Sequence, residues 1–335
     1  MPDKAFDAFI VEETDDRQYR GSVRQIRIRD LPEGDVLIRV CYSSLNYKDA
    51  LSATGNKGVT RNYPHTPGID AAGIVEESLA PGFVPKEPVI VTSYDLGMDT
   101  AGGFGQYIRV PADWVVPLPD GLTLEESMIL GTAGFTAAMS VEKLTDIPTD
   151  AGPVLVTGAT GGVGSMAVAI LTKLGYAVTA VSGKPETEFL KRLGASEIIP
   201  RQTFLENAAA PVLKARWAAV VDTVGGDILA TAIKSTRAWG RVTCCGLVAS
   251  PDLTLTVFPF ILRGVSLHGI DSQHYPSAPR RALWKKLACE WKPDHLKEMA
   301  THIGLAQLNP AIENMLNGRL KGRTVVDVSR PGPRQ

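Results

Sequence analysis

One stretch of this 335-residue chain has the residue types and spacing that phosphate binding asks for: Gly158-Ala-Thr-Gly161-Gly162-Val-Gly164, preceded by apolar Val154-Leu-Val and followed by Ser165-Met-Ala-Val-Ala-Ile-Leu171. Glycines there let a strand turn sharply into a helix, and let backbone N–H groups at the helix N-terminus approach a negative charge. The spacing is GxxGGxG rather than the GxGxxG of the common dinucleotide fingerprint, so its meaning rests on context. A strand pattern precedes it, a helical pattern follows, and a second strand over residues 176–181 lies at βαβ distance. The stretch reads as a pyrophosphate cradle involving Thr160, Gly161, Gly162 and Val163, with a ligand-free glycine turn as the alternative.

The second strand ends Val181-Ser182-Gly183-Lys184. In NAD-binding folds an acidic residue at this tip, about 20 residues past the glycines, holds the ribose 2′-hydroxyl. Here a hydroxyl and an ammonium stand instead, with Arg201 after the next strand, which suits a 2′-phosphate and predicts NADPH rather than NADH. The other reading of Lys184 and Arg201 is as ordinary solvated cations. Asp222 and the run Cys245-Gly246-Leu247 fall at the ends of later strands, where ribose and nicotinamide pass in such folds. Asp222 reads equally as a turn or helix-cap residue.

These groups need a scaffold, and the pattern of the chain supplies two. Up to about residue 119, short β-patterned runs (36–42, 68–75, 88–92, 106–110) are separated by Gly and Pro turns, which predicts a small, mostly antiparallel barrel-like domain. From Leu124 a helical period interrupted at Gly131-Thr-Ala-Gly134 leads into alternating strands and helices. Strands at 154–157, 177–181, 198–199, 219–222, 240–245 and 266–269 predict a six-stranded, doubly wound parallel sheet. A last strand at 322–328 resembles the first domain in character. The expected division is residues 1–124 with 272–335, and 125–271 inserted between them, with the cleft between them as the active site.

Composition narrows the partners. A net charge of −1 gives no reason to expect nucleic acid or an anionic membrane, and no apolar run approaches a bilayer span. A cytoplasmic location is expected, since the N-terminus is charged and lacks the apolar core of a signal peptide. The four cysteines, Cys41, Cys244, Cys245 and Cys289, form no pair at zinc spacing, and Cys244 and Cys245 read as inert strand thiols.

With these pieces in order, the chain resembles the zinc-independent, quinone oxidoreductase-like branch of the medium-chain dehydrogenase/reductases, and within it the NADPH-dependent acrylyl-CoA reductases. The resemblance is carried by Asn46-Tyr47-Lys48-Asp49, Pro67-Gly68-Ile-Asp70, Gly131-Thr-Ala-Gly134, the glycine loop, Ser182-Gly-Lys184, Asp222-Thr-Val-Gly225, Pro259-Phe-Ile-Leu-Arg263, Gly269-Ile-Asp-Ser272 and Gly322-Arg323-Thr. It implies a GroES-like catalytic domain with a Rossmann domain, and a homodimer in which the 259–263 segment pairs with itself. Zinc-dependent relatives carry cysteines and a Gly-His-Glu segment where this chain has Asn46-Tyr47 and Pro67–Asp70; His65 has no thiolate partner at hand, so no metal site is expected.

Without that Lewis acid, the implied chemistry is hydride addition to a C=C bond conjugated to a carbonyl. The resemblance places Asn46 and Tyr47 at the reacting centre, and Tyr47, Thr160, Gly161, Gly162, Val163, Ser182, Lys184, Arg201, Leu247, Ile261, Ser272 and Asn317 against NADPH. Arg323 is a further candidate for a phosphate or acyl-carbonyl contact. A tyrosine that donates the proton in related enoyl reductases has no counterpart here, where Thr54-Gly55-Asn56-Lys57 stands; solvent, Tyr47 or Lys57 could serve. Tyr47 could instead pack in the barrel. Lys57, Arg61, Arg280 and Arg281 are candidates for the phosphates of a CoA substrate. A quinone or enone reductase, and a non-catalytic NADPH-binding protein, are the competing readings.

Overall fold

The alternating apolar runs become strands in the computed structural model, which describes residues 4–206 and 208–329. First come β1 (Ala5–Glu13), β2 (Tyr19–Arg27), β3 (Val36–Leu45), the short helix α1 (Tyr47–Ala53), β4 (Asp70–Ser78), β5 (Pro88–Thr92), β6 (Tyr107–Val110) and β7 (Val115–Pro117). Then α2 (Leu124–Glu142), β8 (Val154–Thr157), α3 (Gly162–Lys173), β9 (Val178–Ser182), α4 (Thr187–Arg192), β10 (Ala195–Pro200), α5 (Arg201–Leu205), β11 (Trp217–Asp222) and α6 (Gly226–Lys234) follow. Last are β12 (Thr236–Cys244), α7 (Phe258–Arg263), β13 (Ser266–Gly269), α8 (Ser277–Ala288), β14 (Ala300–Gly304), α9 (Leu308–Leu316) and β15 (Arg323–Asp327). The described residues of Met1–Thr132, Gln273–Ala288 and Leu296–Gln335 form one unit, and Ala133–Ser272 with Cys289–His295 form the other.

In the first unit seven strands make one sheet in the order β14-β15-β3-β4-β5-β7, with β6 also on β3; β1 and β2 pair separately. Every pair is antiparallel except β14 with β15. The terminal strand β15 thus returns to the first unit, beside β3. Its core is built from Phe9, Val36, Ile38, Val89, Phe104, Ile108 and Val326, all almost fully buried. Strands β1, β2, β7 and β14 add to those legible in the sequence: β2 has no buried residue to set a pattern, and β7 and β14 are only three and five residues long.

In the second unit the strand order is β10-β9-β8-β11-β12-β13, all parallel. This is the doubly wound order, and it reverses between β8 and β11, where ligands bind outside the carboxyl ends of the strands. Val154–Thr157 and Trp217–Asp222 are buried along their whole length, as central parallel strands covered on both faces must be. The 259–263 segment, which the resemblance pairs with itself across a dimer as an edge strand would, is instead helix α7, entered through Pro259 in its first turn and closed by Gly264 in a left-handed conformation. The edge strand is β13. Among the described residues no helix is long and apolar enough to cross a membrane.

His65 ties β1 to the segment before β4 through reciprocal backbone bonds with Val11, 2.8 and 2.9 Å. Its ring is buried, and that burial pulls its pKa below the usual 6.5, against a bond to the Gly97 backbone. The unfolded chain therefore takes up a proton at this residue at a higher pH than the folded one, and stability must fall as pH drops below about 6.5. In urea titrations from pH 7 to 5 the stability advantage of the wild type over His65→Gln is expected to shrink by up to about 1.4 kcal/mol per pH unit; a constant gap would show that His65 does not titrate differently on folding.

Candidate functional site

In the second unit the glycine loop leaves β8 through Gly158, whose φ of 58° is a left-handed conformation open to glycine and where a Cβ would collide with the Thr223 hydroxyl. Gly164 lets the first turn of α3 lie directly on the Gly158 carbonyl. Gly161 caps α3 with extended backbone, and the N–H groups of Gly162 and Val163 at the start of that helix meet no acceptor among the described residues. Those N–H groups point where a phosphate is stabilised. Thr160 is buried, with its hydroxyl 3.2 Å from that of Ser182 at the tip of β9. The loop and the strand tip are thereby joined side chain to side chain.

That tip shapes a cavity of about 390 Å3 lined by Ser182, Gly183, Lys184, Thr187, Pro200 and Arg201, among others. Ser182 accepts the Lys184 backbone N–H at 3.0 Å, which turns the chain. Arg201 opens α5 and lays its guanidinium over Gly183, where a Cβ would come within 2.8 Å of it. Burial, with the charge of Arg201 added, lowers the Lys184 pKa, while Glu186 opposes that shift. Two cations held this close, one of them partly desolvated, suit a dianion. Lys184 and Arg201 are thus brought together with Ser182 and Gly183, not scattered over the surface.

Asp222 resolves to a turn residue: it is fully buried, accepts the Thr157 hydroxyl at 2.6 Å and the Gly225 N–H at 2.9 Å, and fixes the loop after β11. Leu247 and Ile261 are exposed, and Ser272 accepts a hydrogen bond from Thr136 at 2.9 Å. The Cys244 and Cys245 thiols are half-buried, and burial raises both pKa values. Lys173, at the end of α3, pairs with Asp294.

In the first unit the register of three neighbouring strands builds a charged cluster. β15 pairs with β3 so that Thr324 faces Leu45 and Val325 faces Ser44, which sets Arg323 opposite Asn46. On the other side Tyr42 faces Ala72, a register that carries Ser44 opposite Asp70. Arg323, Asn46, Ser44 and Asp70 therefore project from the same face at the same end of the sheet. Asp70, with no exposed surface, accepts from the Ser44 hydroxyl at 2.6 Å, the Asn46 amide at 2.8 Å, and the Thr132 backbone and hydroxyl at 2.9 and 2.6 Å. Arg323 lies 3.8 Å from it and donates to the Ile129 carbonyl, Asn46 Oδ1 and the Ser44 hydroxyl.

Arg323, expected as a phosphate or acyl contact, is instead 3% exposed and directed into this cluster, because a cation is needed beside a buried carboxylate. Asn46 is likewise turned inward, as the N-cap of α1, and Tyr47 follows it at 40% exposure. Asp49 closes the cap: it accepts N–H groups from Asn46, Gly68 and Ile69. Burial and then the charge of Asp70 raise its carboxyl to about 7, against those donations.

Asp49 and Asp70 stand in the motifs of the sequence without a role of their own there. The signal was a lone carboxylate inside the apolar run Ile69-Asp70-Ala-Ala-Gly-Ile-Val75, which must find a partner when the strand is buried.

The remaining basic candidates part company. Lys57 bonds Glu13 at 3.4 Å and lies over the rings of Tyr19 and Tyr63; its bond to Tyr19 raises its pKa, which makes it a poor proton donor. Arg280 is fully buried and donates to the Thr92, Gln273 and Tyr275 carbonyls, so it is out of reach of a CoA phosphate. Arg61 sits 3.9 Å from Asp99, and Arg281 is exposed. Asn317 is exposed at the end of α9, its amide on the Glu313 carbonyl.

Two family descriptions match the chain: a zinc-binding dehydrogenase over residues 162–288 and an alcohol dehydrogenase GroES-like domain over residues 32–120. The chain is 42% identical over 328 residues to the acrylyl-CoA reductase AcuI of Ruegeria pomeroyi, covering 97% of this chain and 99% of that one. Among solved structures it is similar to the yhdH oxidoreductase of Salmonella enterica in complex with NADP, at 43% identity and a TM-score of 0.93, over 96% of this chain and 100% of that one. It is also similar to Bacillus subtilis yhfP with NAD bound, at 42% identity and a TM-score of 0.94, over 97% and 100% of the two chains.

The cluster leaves no space at the bend of α2. Gly131, with φ 51°, would bring a Cβ within 2.5 Å of Asp70 Oδ2 and 2.6 Å of the Ser44 hydroxyl. Gly131→Ala is expected to destabilise the protein by about 3 kcal/mol in urea denaturation, from backbone strain and overpacking together. A loss below about 0.5 kcal/mol, the range of a neutral surface change, would mean that the cluster gives way easily.

Proposed function

Because the chain belongs to the medium-chain dehydrogenase/reductase family, shown by its two domain matches and its near-full-length identity to relatives, we propose that it is an NADPH-dependent enoyl-thioester reductase, converting acrylyl-CoA to propanoyl-CoA. The substrate reading is carried by one observation, the 42% identity to an acrylyl-CoA reductase along 97% of this chain. The cofactor reading is supported by the fit of the second unit: helical N–H groups at Gly162 and Val163 that meet no acceptor among the described residues, and a cavity at the β9 tip with Lys184 and Arg201 and no carboxylate among its lining residues.

When bound, NADPH supplies the hydride that adds to the β-carbon of the unsaturated thioester. The chain's residues bind and orient. Thr160, Gly161, Gly162 and Val163 hold the pyrophosphate against the start of α3. Ser182, Gly183, Lys184 and Arg201 take the 2′-phosphate. Leu247, Ile261, Ser272 and Asn317 are proposed as further cofactor contacts. Tyr47 is the group we assign to the reacting centre: exposed, and with a hydroxyl that makes no hydrogen bond among the described residues, it can donate to the enolate oxygen and deliver the proton to the α-carbon. Asn46, wholly engaged by its neighbours, holds Tyr47 rather than touching substrate.

A cytoplasmic homodimer is part of the proposal. The edge strand β13 has a partner on one side only, and exposed Trp239, Val257, Phe258, Ile261, Leu262 and Leu267 lie on or beside the elements that end this sheet. An open strand edge with apolar residues around it favours pairing with a second copy. Sedimentation velocity is expected to give a dimer for the wild type and a monomer for Ile261→Asp; a monomeric wild type removes this part.

The activity test follows NADPH absorbance with acrylyl-CoA, crotonyl-CoA and 1,4-benzoquinone, each repeated with NADH. Preference for acrylyl-CoA with NADPH is expected. Turnover of the quinone alone would make the protein a quinone reductase, and tight NADPH binding without turnover of any acceptor would make it a non-catalytic binder. In the double variant Lys184→Glu, Arg201→Glu, KM for NADPH is expected to rise roughly 10- to 100-fold while KM for NADH moves less than about threefold. Equal changes for both cofactors would place the 2′-phosphate elsewhere.

A further inference from the structure

The first unit buries a guanidinium and two carboxylates around the residue that precedes an exposed tyrosine, an arrangement that stability alone does not call for, since apolar residues can fill such a space at no loss. What the cluster does do is immobilise one residue. Every polar atom of Asn46 is engaged: its N–H by Asp49 at 2.7 Å, its carbonyl by the Asp49 and Ala50 N–H groups, its amide by the Ser44 carbonyl and Asp70, and its Oδ1 by Arg323 at 3.1 Å. The next residue in the chain is Tyr47, at the first position of α1. A rigid root and an open end is the form a side chain needs when it must meet a reacting atom in one geometry.

We propose that Arg323 and Asp70 are positioning residues of the reaction, acting through Asn46 to fix the place from which Tyr47 reaches the acceptor. The inference rests on the proposed function only in taking Tyr47 as the group that meets the acceptor. The guanidinium draws together three stretches of chain: the Ile129 carbonyl at 3.0 Å before the bend of α2, the Ser44 hydroxyl at 2.8 Å at the end of β3, and Asn46 at the entry to α1. A planar fork with five donors can do this, whereas an ammonium at the same place can neutralise Asp70 but cannot span the three. Asp70 supplies the counter-charge, and from the opposite side takes the Asn46 amide and Thr132. Neither residue has surface with which to touch substrate: Asp70 is 0% and Arg323 3% exposed.

The test is a double-mutant cycle between Arg323→Gln and Tyr47→Phe, read as kcat, KM for the acceptor, NADPH affinity by fluorescence, and thermal midpoint. Arg323→Gln is expected to lower kcat roughly 30- to 100-fold with KM and NADPH affinity held within about threefold, Tyr47→Phe to do the same, and the double variant to be no worse than about threefold below Tyr47→Phe. Arg323→Lys should resemble Arg323→Gln, since charge without the fork does not restore the position. Losses that multiply, or an unimpaired Tyr47→Phe, overturn the proposal.

Should the Arg323 variants fail to fold, Asn46→Ala, which leaves the ion pair in place, replaces them in the same cycle with the same expectations. The cycle runs on whichever acceptor the wild type reduces, so a protein active only on quinone would defeat the thioester reading and leave this one standing. Fluorotyrosine placed at position 47 and read by fluorine NMR gives an answer independent of turnover: one sharp line in the wild type and broadened or multiple lines in Asn46→Ala are expected. Identical spectra overturn the proposal.

Discussion

A carboxylate with no contact with water has to be met by donors from every side, and Asp70 gathers them from four parts of the first unit. Ser44 comes from β3, Asn46 from the cap of α1, Thr132 from just past the bend of α2, and Arg323 from β15. Removing any one leaves a buried charge or lone pair unmatched, so the positions of these elements are set together. The bend of α2 follows from the same demand: Gly131 has to pass so close to the carboxylate that no side chain fits there. Burial lowers the Arg323 pKa while Asp70 and Asp49 raise it, a balance characteristic of a cation kept inside by its counter-ions.

The second unit handles charge by other means. At the start of α3 the charge is partial and belongs to the backbone, available because glycine brings the helix close to the turn. At the β9 tip it is formal and belongs to two side chains, one of them over a glycine. The first device suits any diphosphate; the second suits a phosphate monoester and discriminates between nucleotides.

Much of this was legible because it is local. The glycine loop, the strand before it and the strand tip with Ser182 and Lys184 lie within thirty-one residues, 154–184, and each is recognisable from its neighbours. β5, β8 and β13 have the bounds that their patterns imply. The cluster around Asp70 was not legible, because its members meet only through strand register: Asn46 and Arg323 are 277 positions apart, and nothing in the run Gly322-Arg323-Thr says which distant strand it will pair with. Lys57 and Arg280 failed for the same reason, as their partners Glu13 and Thr92 lie far off in sequence. The apolar 259–263 segment is ambiguous at five residues, where strand and helix periods look alike.

The distance between Asn46 and Arg323 also bears on how the chain is made. Synthesis proceeds from the N-terminus, so Ser44, Asn46, Asp49 and Asp70 leave the ribosome long before Arg323, which lies 277 positions beyond Asn46. Until residues 323–327 have been made, β3 lacks its neighbour β15 and Asp70 lacks its counter-cation. The second unit, by contrast, has its strands β8 to β13 complete while the first is still waiting for its last one. The order in which the chain emerges is thus not the order in which its parts can close: the inserted unit is able to fold during synthesis, and the unit that begins the chain must finish after it.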